Sequence, residues 1–149
     1  MTPTPLDPTL ADPSRYRYWH PVVPRFRDLD MLGHINHVNL IGWLEDARVA
    51  FELPIQPVDQ LQSLPVMLLA EIRVRFMEEV HFDDPVRVGL LVQRLGRSSV
   101  VIGQAVFAGD TCGAIAEVVE VLVGQESRAP EPLPPAFRAL FEPHLRKSP

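Results

Sequence analysis

The sequence is short of cysteine, lysine and long apolar runs. Cys112 is the only cysteine among the 149 residues, so it cannot pair within the chain and no disulfide framework holds the fold. No run of about 18 apolar residues is free of Arg, Glu or Pro, which excludes a membrane-spanning helix. No basic amino-terminal segment leads into an apolar core. We therefore expect a soluble, cytoplasmic protein without a membrane partner.

Charge of one sign is not concentrated anywhere in the chain. The net charge is -5, and acidic and basic residues are interspersed without the basic stripe that a nucleic-acid surface requires. Nucleic acid is therefore not an expected partner. Thirteen of the fourteen basic residues are arginine. Arginine suits bidentate contacts with carboxylate or phosphate, although genomic base composition explains the same bias.

The length predicts one domain with two terminal additions. Residues 1–15 are rich in Pro, Thr and Asp without periodicity, so they cannot bury enough apolar area to offset their ordering entropy and should form a flexible tail. Residues 16–128 are the predicted folded domain. Residues 129–149 are a proline-rich extension with a short helix in FRALFEPHL, which we expect to cap an edge.

A long helix is predicted from Asn36 to Leu53. Apolar residues recur there at spacings of four, three and four, which predicts a buried face made by Leu40, Leu44, Ala47 and Phe51. The opposite face should carry Glu45, Arg48 and Glu52. Pro54 ends the helix because a proline nitrogen cannot continue the hydrogen-bond ladder.

Strands account for most of the remaining domain. A first strand, from Trp19 to Arg27, contains two prolines and should lie at a sheet edge. AEIRVRFM and VRVGLLVQ alternate strictly, which predicts one solvated face, whereas SVVIGQAVFA and GAIAEVVEVLV suit strands covered on both faces. The short turns FDDP, GRS and AGDT predict that these four strands are antiparallel neighbours. The fold class is α+β, with a long central helix wrapped by a curved antiparallel sheet of about five strands.

Polar groups are concentrated between the first strand and the helix. They are Asp28, Asp30, His34, Asn36 and His37, with Gly33 among them to allow a sharp turn. Free N–H groups at a helix start stabilise negative charge. A carboxylate beside them could activate water or attack an acyl carbon while the N–H groups hold the oxyanion.

The same residues also have structural explanations. Asp28 is more typical of a cap or turn, Asn36 is the expected helix cap, and each histidine could simply bond to the backbone. A metal site is a weaker hypothesis: Asp30, His34 and His37 could face one another as ligands do. No second ligand cluster follows, so we expect no metal and no other cofactor. The sequence has no GxSxG turn, so catalysis by a nucleophilic serine of that kind is not expected.

The motif DLDMLGHINHVNLIGWLED resembles the signature of hotdog-fold thioesterases of the 4-hydroxybenzoyl-CoA and acyl-ACP thioesterase superfamily. In that signature D-x-D-x-x-G-H-V-N-N-x-x-Y leads into the central helix. The resemblance extends from Trp19 to Val123 through the order of helix, proline-broken loop and four antiparallel strands. It implies a hotdog fold and thioester hydrolysis.

Position by position, the resemblance implies roles for four catalytic candidates. Asp30 matches the carboxylate that acts as base or nucleophile. His37 stands where one bacterial group has a histidine and a related group uses a backbone N–H to polarise the thioester carbonyl. His34 matches the histidine of the GHVNN and acyl-ACP branches. Glu79 could correspond to the glutamate of the plant acyl-ACP branch, with Glu78 as the alternative and a solvated strand end as the structural explanation.

Departures from the motif leave a second function open. Leu32 replaces an asparagine of the plant pattern, and His37 and Leu40 replace the Asn and Tyr of GHVNN enzymes. The first hypothesis is therefore an acyl-CoA or acyl-ACP thioesterase with Asp30 as general base or nucleophile. The alternative is a non-catalytic acyl-CoA or fatty-acyl binding hotdog protein.

The resemblance also implies substrate contacts and an assembly. Gly33 and Asn36 belong to the substrate-binding loop, while Arg94 and Arg97, which flank the GRSS turn, could meet CoA phosphates; surface solubility is the more usual reason for such arginines. Hotdog proteins usually pair two protomers through their sheets, which covers an exposed edge. A homodimer or homotetramer is therefore expected.

Overall fold

The computed structural model describes residue 2 and residues 4–146. Within them the chain forms two α-helices and one five-stranded antiparallel sheet. In chain order the elements are β1 (Tyr18–Val22), α1 (His37–Glu52), β2 (Val66–Phe76), β3 (Val86–Leu95), β4 (Ser99–Ala108), β5 (Thr111–Val123) and α2 (Pro135–Phe141). None of the helices formed by these residues is long and apolar enough to cross a membrane. The predicted α+β class is confirmed.

Helix α1 lies on the inner face of the sheet and agrees with its sequence prediction. The predicted apolar face is buried: Leu44 and Ala47 are fully enclosed, and Leu40 and Phe51 nearly so. These side chains pack against inward residues of β3, β4 and β5 in two adjoining clusters. The helix ends at Glu52, immediately before the segment that Pro54 interrupts.

The strand order is β1-β3-β4-β5-β2, which places β1 and β2 at the two edges. An edge position for the first strand is confirmed, although it ends at Val22 because residues 26–28 turn into a 3-10 helix. The predicted pairing of the second and third strands across FDDP is wrong. Strand β2 pairs with β5, from Val66 opposite Val123 to Phe76 opposite Ala114. Residues 77–85 instead connect β2, at one edge of the sheet, to β3, which lies next to the strand at the other edge.

The predicted solvated face is correct for β2 and wrong for β3. Most of β3 is buried, whereas β2 is largely exposed or half-buried. Strand β3 is covered because the amino-terminal segment lies over the outer face of the sheet. Sequence alternation alone could not reveal this cover, which comes from residues distant in the chain.

That amino-terminal segment is packed, in contrast to its interpretation as a flexible tail. Leu6, Leu10 and Tyr16 are buried against the outer faces of β3, β4 and β5. Two glycines make room for them: a Cβ on Gly103 would lie 2.5 Å from Leu10, and one on Gly89 would lie 2.5 Å from the Tyr16 ring. A few well-placed apolar residues suffice where the opposing surface is already formed by a sheet.

The carboxyl-terminal extension contains the short helix expected there. Phe137 and Phe141 of α2, together with Leu133, close one end of the inner core next to Phe51. The chain then runs beside the free edge of β3, where the Arg146 N–H donates to the Val92 carbonyl at 2.7 Å. The extension thus caps an edge, as expected.

Arg48 and Glu52 are buried, contrary to the prediction that they face solvent. The Arg48 guanidinium donates to Glu120 Oε1 of β5 at 2.7 Å and lies near the Gln104 amide of β4. Burial, followed by the nearby Glu120 charge, raises the pKa of Glu52 to about 10. The long stems of these side chains let them occupy the helix flank while their polar heads reach partners on the sheet.

Candidate active site

The loop between β1 and α1 is organised by Asp28. Its buried carboxylate accepts a hydrogen bond from the Arg25 N–H at 2.7 Å. Its backbone carbonyl accepts from the Asn36 N–H at 2.8 Å and from the Asn39 amide at 3.0 Å. Asp28 therefore joins the loop to the start of the helix, which confirms the turn-forming role favoured by its sequence position.

Asp30 lies at the head of a tight turn that closes on His34. Its Oδ1 accepts from the Leu32 N–H at 2.9 Å, and its carbonyl accepts from the Gly33 N–H at 3.1 Å. Gly33 has φ +80°, a conformation that favours glycine over side-chain-bearing residues. The Asp30 N–H in turn donates to the His34 carbonyl at 2.9 Å. This turn holds a half-buried carboxylate beside the helix start.

The amino terminus of α1 leaves one backbone donor free. Asn36 caps the helix as expected, because its Oδ1 accepts from the Val38 N–H at 2.9 Å. The Asn36 and Asn39 N–H groups have backbone acceptors. Within the part of the chain that the structure describes, the His37 N–H has no acceptor. A single polarised donor therefore remains at the positive end of the helix dipole.

The segment after β2 brings Glu79 to His34. The Ile35 N–H donates to the Val80 carbonyl at 2.8 Å, and both side chains are buried. This pairing leaves the neighbouring polar residues to meet outside the core: His34 Nε2 lies 3.1 Å from Glu79 Oε2. His81 Nε2 lies 4.0 Å from the same oxygen. Two imidazoles thus share one carboxylate.

All four predicted catalytic residues line one cleft, which we call the Asp30 cleft. Its volume is about 230 Å³, and its walls include Asp30, His34, His37, Leu40, Phe76, Glu78, Glu79 and Val80. The His37 ring packs against Phe76 at 5.7 Å between centroids. A carboxylate, an imidazole and a free backbone donor thus adjoin an apolar surface. This combination suits acyl transfer, in which a polar carbonyl and an apolar chain are held together.

The other predicted substrate contacts lie elsewhere. Gly33 and Asn36 shape the turn and the helix cap and do not line the cleft. Arg94 and Arg97 lie at the opposite end of the sheet, where Leu95 pairs with Val100. The Asp30 cleft adjoins the other end of β4. At about 3.3 Å per residue, the length of β4 therefore separates the two regions by about 30 Å.

His81, which directly precedes the predicted FDDP turn, is a further polar neighbour of the site. That turn exists, since the His81 N–H donates to Asp84 Oδ2 at 2.7 Å. The imidazole nevertheless packs edge-on to His34, with ring centroids 5.4 Å apart. The sequence contained an indication that His81 lies near Glu79. Residues two apart in an extended segment share a face, so Glu79 and His81 should point the same way. Among the described residues, no three His, Cys, Asp or Glu side chains are arranged to hold a metal ion.

Comparisons with known proteins place this chain in a family. Residues 24–141 match the thioesterase-like superfamily, so the chain belongs to that superfamily. The PA5185 protein of Pseudomonas aeruginosa has a similar structure, with a TM-score of 0.81 and 24% identity over 91% of this chain and 96% of that one. The hotdog fold is thereby confirmed. No curated protein matches the sequence.

Two further structures carry ligand or substrate names. A Thermus thermophilus thioesterase complexed with coenzyme A and zinc has a TM-score of 0.73 and 31% identity, over 83% of this chain and 96% of that one. A 1,4-dihydroxy-2-naphthoyl-CoA thioesterase of Synechocystis has a TM-score of 0.73 and 14% identity, over 83% of this chain and 93% of that one. The first protein belongs to the same family as this chain, and the second has the same fold.

Proposed function

We propose that the protein hydrolyses acyl-CoA thioesters to a free acid and a thiol, with Asp30 as general base or nucleophile. The observation that carries this proposal is that Asp30 and His37 line one cleft, while the His37 N–H has no acceptor among the described residues. Membership of the thioesterase-like superfamily and similarity to a thioesterase bound to coenzyme A support the substrate class.

In the proposed reaction, the acyl carbonyl oxygen accepts a hydrogen bond from the His37 N–H. Asp30 takes a proton from water as the water oxygen adds to the acyl carbon, and the helix dipole stabilises the oxyanion. The carbon–sulfur bond then breaks, the carbonyl reforms and the thiolate receives the proton from Asp30. Direct attack by Asp30 gives the same products through an anhydride that water opens.

His34 and Glu79 assist this reaction as a pair. Glu79 engages His34 Nε2 at 3.1 Å, which leaves Nδ1 as the nitrogen that exchanges protons with water or substrate. A carboxylate that holds one ring nitrogen in this way fixes the orientation of the imidazole. The apolar walls formed by Leu40 and Phe76 hold the start of the acyl group.

The non-catalytic binding function is the second candidate. Its specific support is the hydrogen bond between Asp30 Oδ1 and the Leu32 N–H. That bond gives the carboxylate a purely structural task, which a binding protein would also need. Turnover separates the two candidates, because both predict that acyl-CoA stabilises the fold.

Thiol release from a panel of short, long and aromatic acyl-CoAs tests the proposal. We expect Asp30→Asn to lower kcat by roughly a hundredfold or more, the scale of losing an acid–base group. Asp59→Asn, at an exposed position in a distant 3-10 helix, is the matched control and should retain activity. Chelator should have no effect. Saturable binding without thiol release from any member would favour the binding protein instead.

A further inference from the structure

A concave site lies where the two terminal segments of the chain meet on β3. It has a volume of about 360 Å³. Side chains from residues 12–17 and from residues 144–146 line it, and Leu90 and Leu91 of β3 complete the lining. We call it the terminal pocket. Nothing in the reaction proposed above uses it.

The pocket exists because the edge of β3 that faces away from β4 changes its pairing partner there. Tyr18, the first residue of β1, pairs with Leu90. Two residues further along β3, Val92 pairs with Leu145 of the carboxyl-terminal segment. The chain that leads into β1 and the chain that follows α2 therefore meet beside this point, and side chains from both line one concave site.

Three arginines converge on the terminal pocket, namely Arg15, Arg17 and Arg146. Each guanidinium carries five N–H donors. Arg17 uses one of them on the Pro143 carbonyl at 3.2 Å, and Arg146 uses one on the Asp7 carboxylate. The Arg15 guanidinium has no acceptor among the described residues. Most of these donors are therefore available to an anion in the pocket.

The charge of the pocket is positive although the whole chain carries a net charge of -5. Asp12 is the one carboxylate in the lining, and its Oδ1 already accepts from the Ser14 N–H at 2.9 Å and from the Ser14 hydroxyl at 2.7 Å. Even when Asp7 is counted, three guanidinium groups stand against two carboxylates. Burial, followed by the Arg17 charge, lowers the pKa of His144, so this positive charge acts on another side chain of the lining.

The terminal pocket is separate from the Asp30 cleft. The two share no lining residue, and the pocket adjoins β3 whereas the cleft adjoins β2 at Phe76. Strands β4 and β5 lie between, which places β2 and β3 about 14 Å apart at about 4.8 Å per strand. The charged residues of the pocket also lie outside residues 24–141, the part of the chain that matches the superfamily. A ligand of this pocket is therefore not the acyl group held in the cleft.

We propose that the terminal pocket binds a small phosphate-type anion of about the size of pyrophosphate, and that the bound anion fastens the two terminal segments to each other. Arg15 and Arg17 hold it from the amino-terminal side and Arg146 from the carboxyl-terminal side, through charge-assisted hydrogen bonds. A carboxylate presents two oxygens in one plane, whereas a phosphoryl group presents three acceptor oxygens in different directions. Phosphate therefore suits guanidinium groups that arrive from two segments. This inference does not depend on the proposed hydrolysis.

Thermal unfolding of the full chain in pyrophosphate, with sodium chloride adjusted to constant ionic strength, tests the proposal. The Tm of the wild type should rise with pyrophosphate and saturate. In Arg15→Ser/Arg17→Ser, the concentration that gives half of the shift should rise by about tenfold or more, the scale of losing one or two charge-assisted bonds. Arg25→Ser/Arg27→Ser removes two exposed arginines at the same spacing and should follow the wild type. If the first double variant does not fold, Arg15→Ser alone should still weaken binding.

Trypsin, which cleaves after arginine, locates the anion without any substitution. Pyrophosphate should slow cleavage after Arg15 and Arg17 more than cleavage after Arg25 and Arg27, because it holds only the first pair. Mass spectrometry of the earliest fragments measures both rates. Equal slowing at the two pairs would mean general stabilisation and would contradict binding at the terminal pocket.

Each other outcome overturns a stated part. No shift beyond that of sodium chloride at equal ionic strength would reject the site. Equal weakening in both double variants would assign the effect to general surface charge. A response to citrate as strong as the response to pyrophosphate would replace phosphate by carboxylate as the ligand class. Competition between pyrophosphate and acyl-CoA in thiol release would make the pocket part of the substrate site, whereas the proposal expects no change in KM.

Discussion

At the scale of single residues, His34 and His37 have different surroundings although they are three positions apart. His34 uses its side chain, with Nε2 on Glu79. His37 offers its backbone N–H, while its ring packs on Phe76. Sequence reasoning could not choose between the two, because the partners of both come from a segment about forty residues later. From these contacts we expect His34 to act through its side chain and His37 through its backbone N–H.

This difference predicts that substitutions at the two positions have unequal effects on kcat. We expect His34→Gln to lower kcat on the best acyl-CoA by on the order of a hundredfold, because it removes a proton-exchanging group. His37→Gln should stay within a few-fold of wild type, because it keeps the backbone donor. Steady-state thiol release measures both variants, with circular dichroism as the check on folding. The reverse ranking would contradict the assignment and give the chemistry to the His37 ring.

At the scale of elements, α1 is joined to the sheet by a buried polar network. Arg48 and Glu120 form an ion pair in which both side chains are buried, and Glu52 lies beside them. Burial and the Glu120 charge raise the pKa of Glu52 to about 10, and a hydrogen bond to Glu120 contributes. Near neutral pH Glu52 therefore carries a proton in the folded chain. In the unfolded chain that proton is lost near the ordinary pKa of glutamate, about 4.3.

The sign of this shift predicts how stability changes with pH. Glu52 binds its proton more tightly when folded, so its contribution is complete below about pH 4.3 and is lost as the pH rises toward about 10. Glu52→Gln keeps a neutral side chain at every pH. The free energy of unfolding of the wild type should therefore fall relative to the variant by up to about 1.4 kcal/mol per pH unit between pH 5 and 9.

Urea denaturation at pH 5, 7 and 9, at one fixed protein concentration, measures this difference. Glu126→Gln, at an exposed position in the turn after β5, is the matched control and should follow the wild type. Parallel curves for wild type and Glu52→Gln would show that Glu52 is ionised in the folded chain.

At the scale of the whole molecule, the described residues leave the outer edge of β2 without a paired strand. The free edge of β1 is short, and the carboxyl-terminal extension covers the remainder of β3 beyond it. Strand β2 runs from Val66 to Phe76, and Leu68, Leu69 and Phe76 along it are about half exposed. A long apolar edge with unpaired backbone groups invites pairing. A second copy of the chain is the partner that the family resemblance implies.

A homodimer through β2 is the resulting prediction. Light scattering after size exclusion should give at least twice the mass of one chain. Leu68→Lys/Leu69→Lys should shift the mass toward the monomer, because charge on an edge strand opposes pairing. Val58→Lys, at an exposed apolar position outside the strands, is the control for added charge. A wild type that runs as a monomer, or a double variant that keeps the dimer, would contradict pairing through β2.

The predictable parts of the structure are those with local causes. Helix α1 follows from its apolar spacing, its Asn36 cap and Pro54, and the limits of β4 match its apolar run SVVIGQAVFA. The Asp30 turn follows from Gly33. Burial of Arg48 and Glu52 was missed because amphipathic patterning classes every charged residue as outward-facing. The packing of Leu10 was missed because proline-rich composition conceals single apolar residues that fit a surface formed elsewhere.

The sequence by itself determined the helix, the strand segments, the turn that carries Asp30 and, through its motif, the family. Each of these depends on residues within one or two turns of one another along the chain. Only the tertiary structure decided that β2 pairs with β5, that Glu79 meets His34, and that Arg15 and Arg17 share a pocket with Arg146. Those contacts join distant segments. The Ile35 and Val80 side chains are buried and the sheet is completed, and these two requirements decide which polar groups lie next to each other.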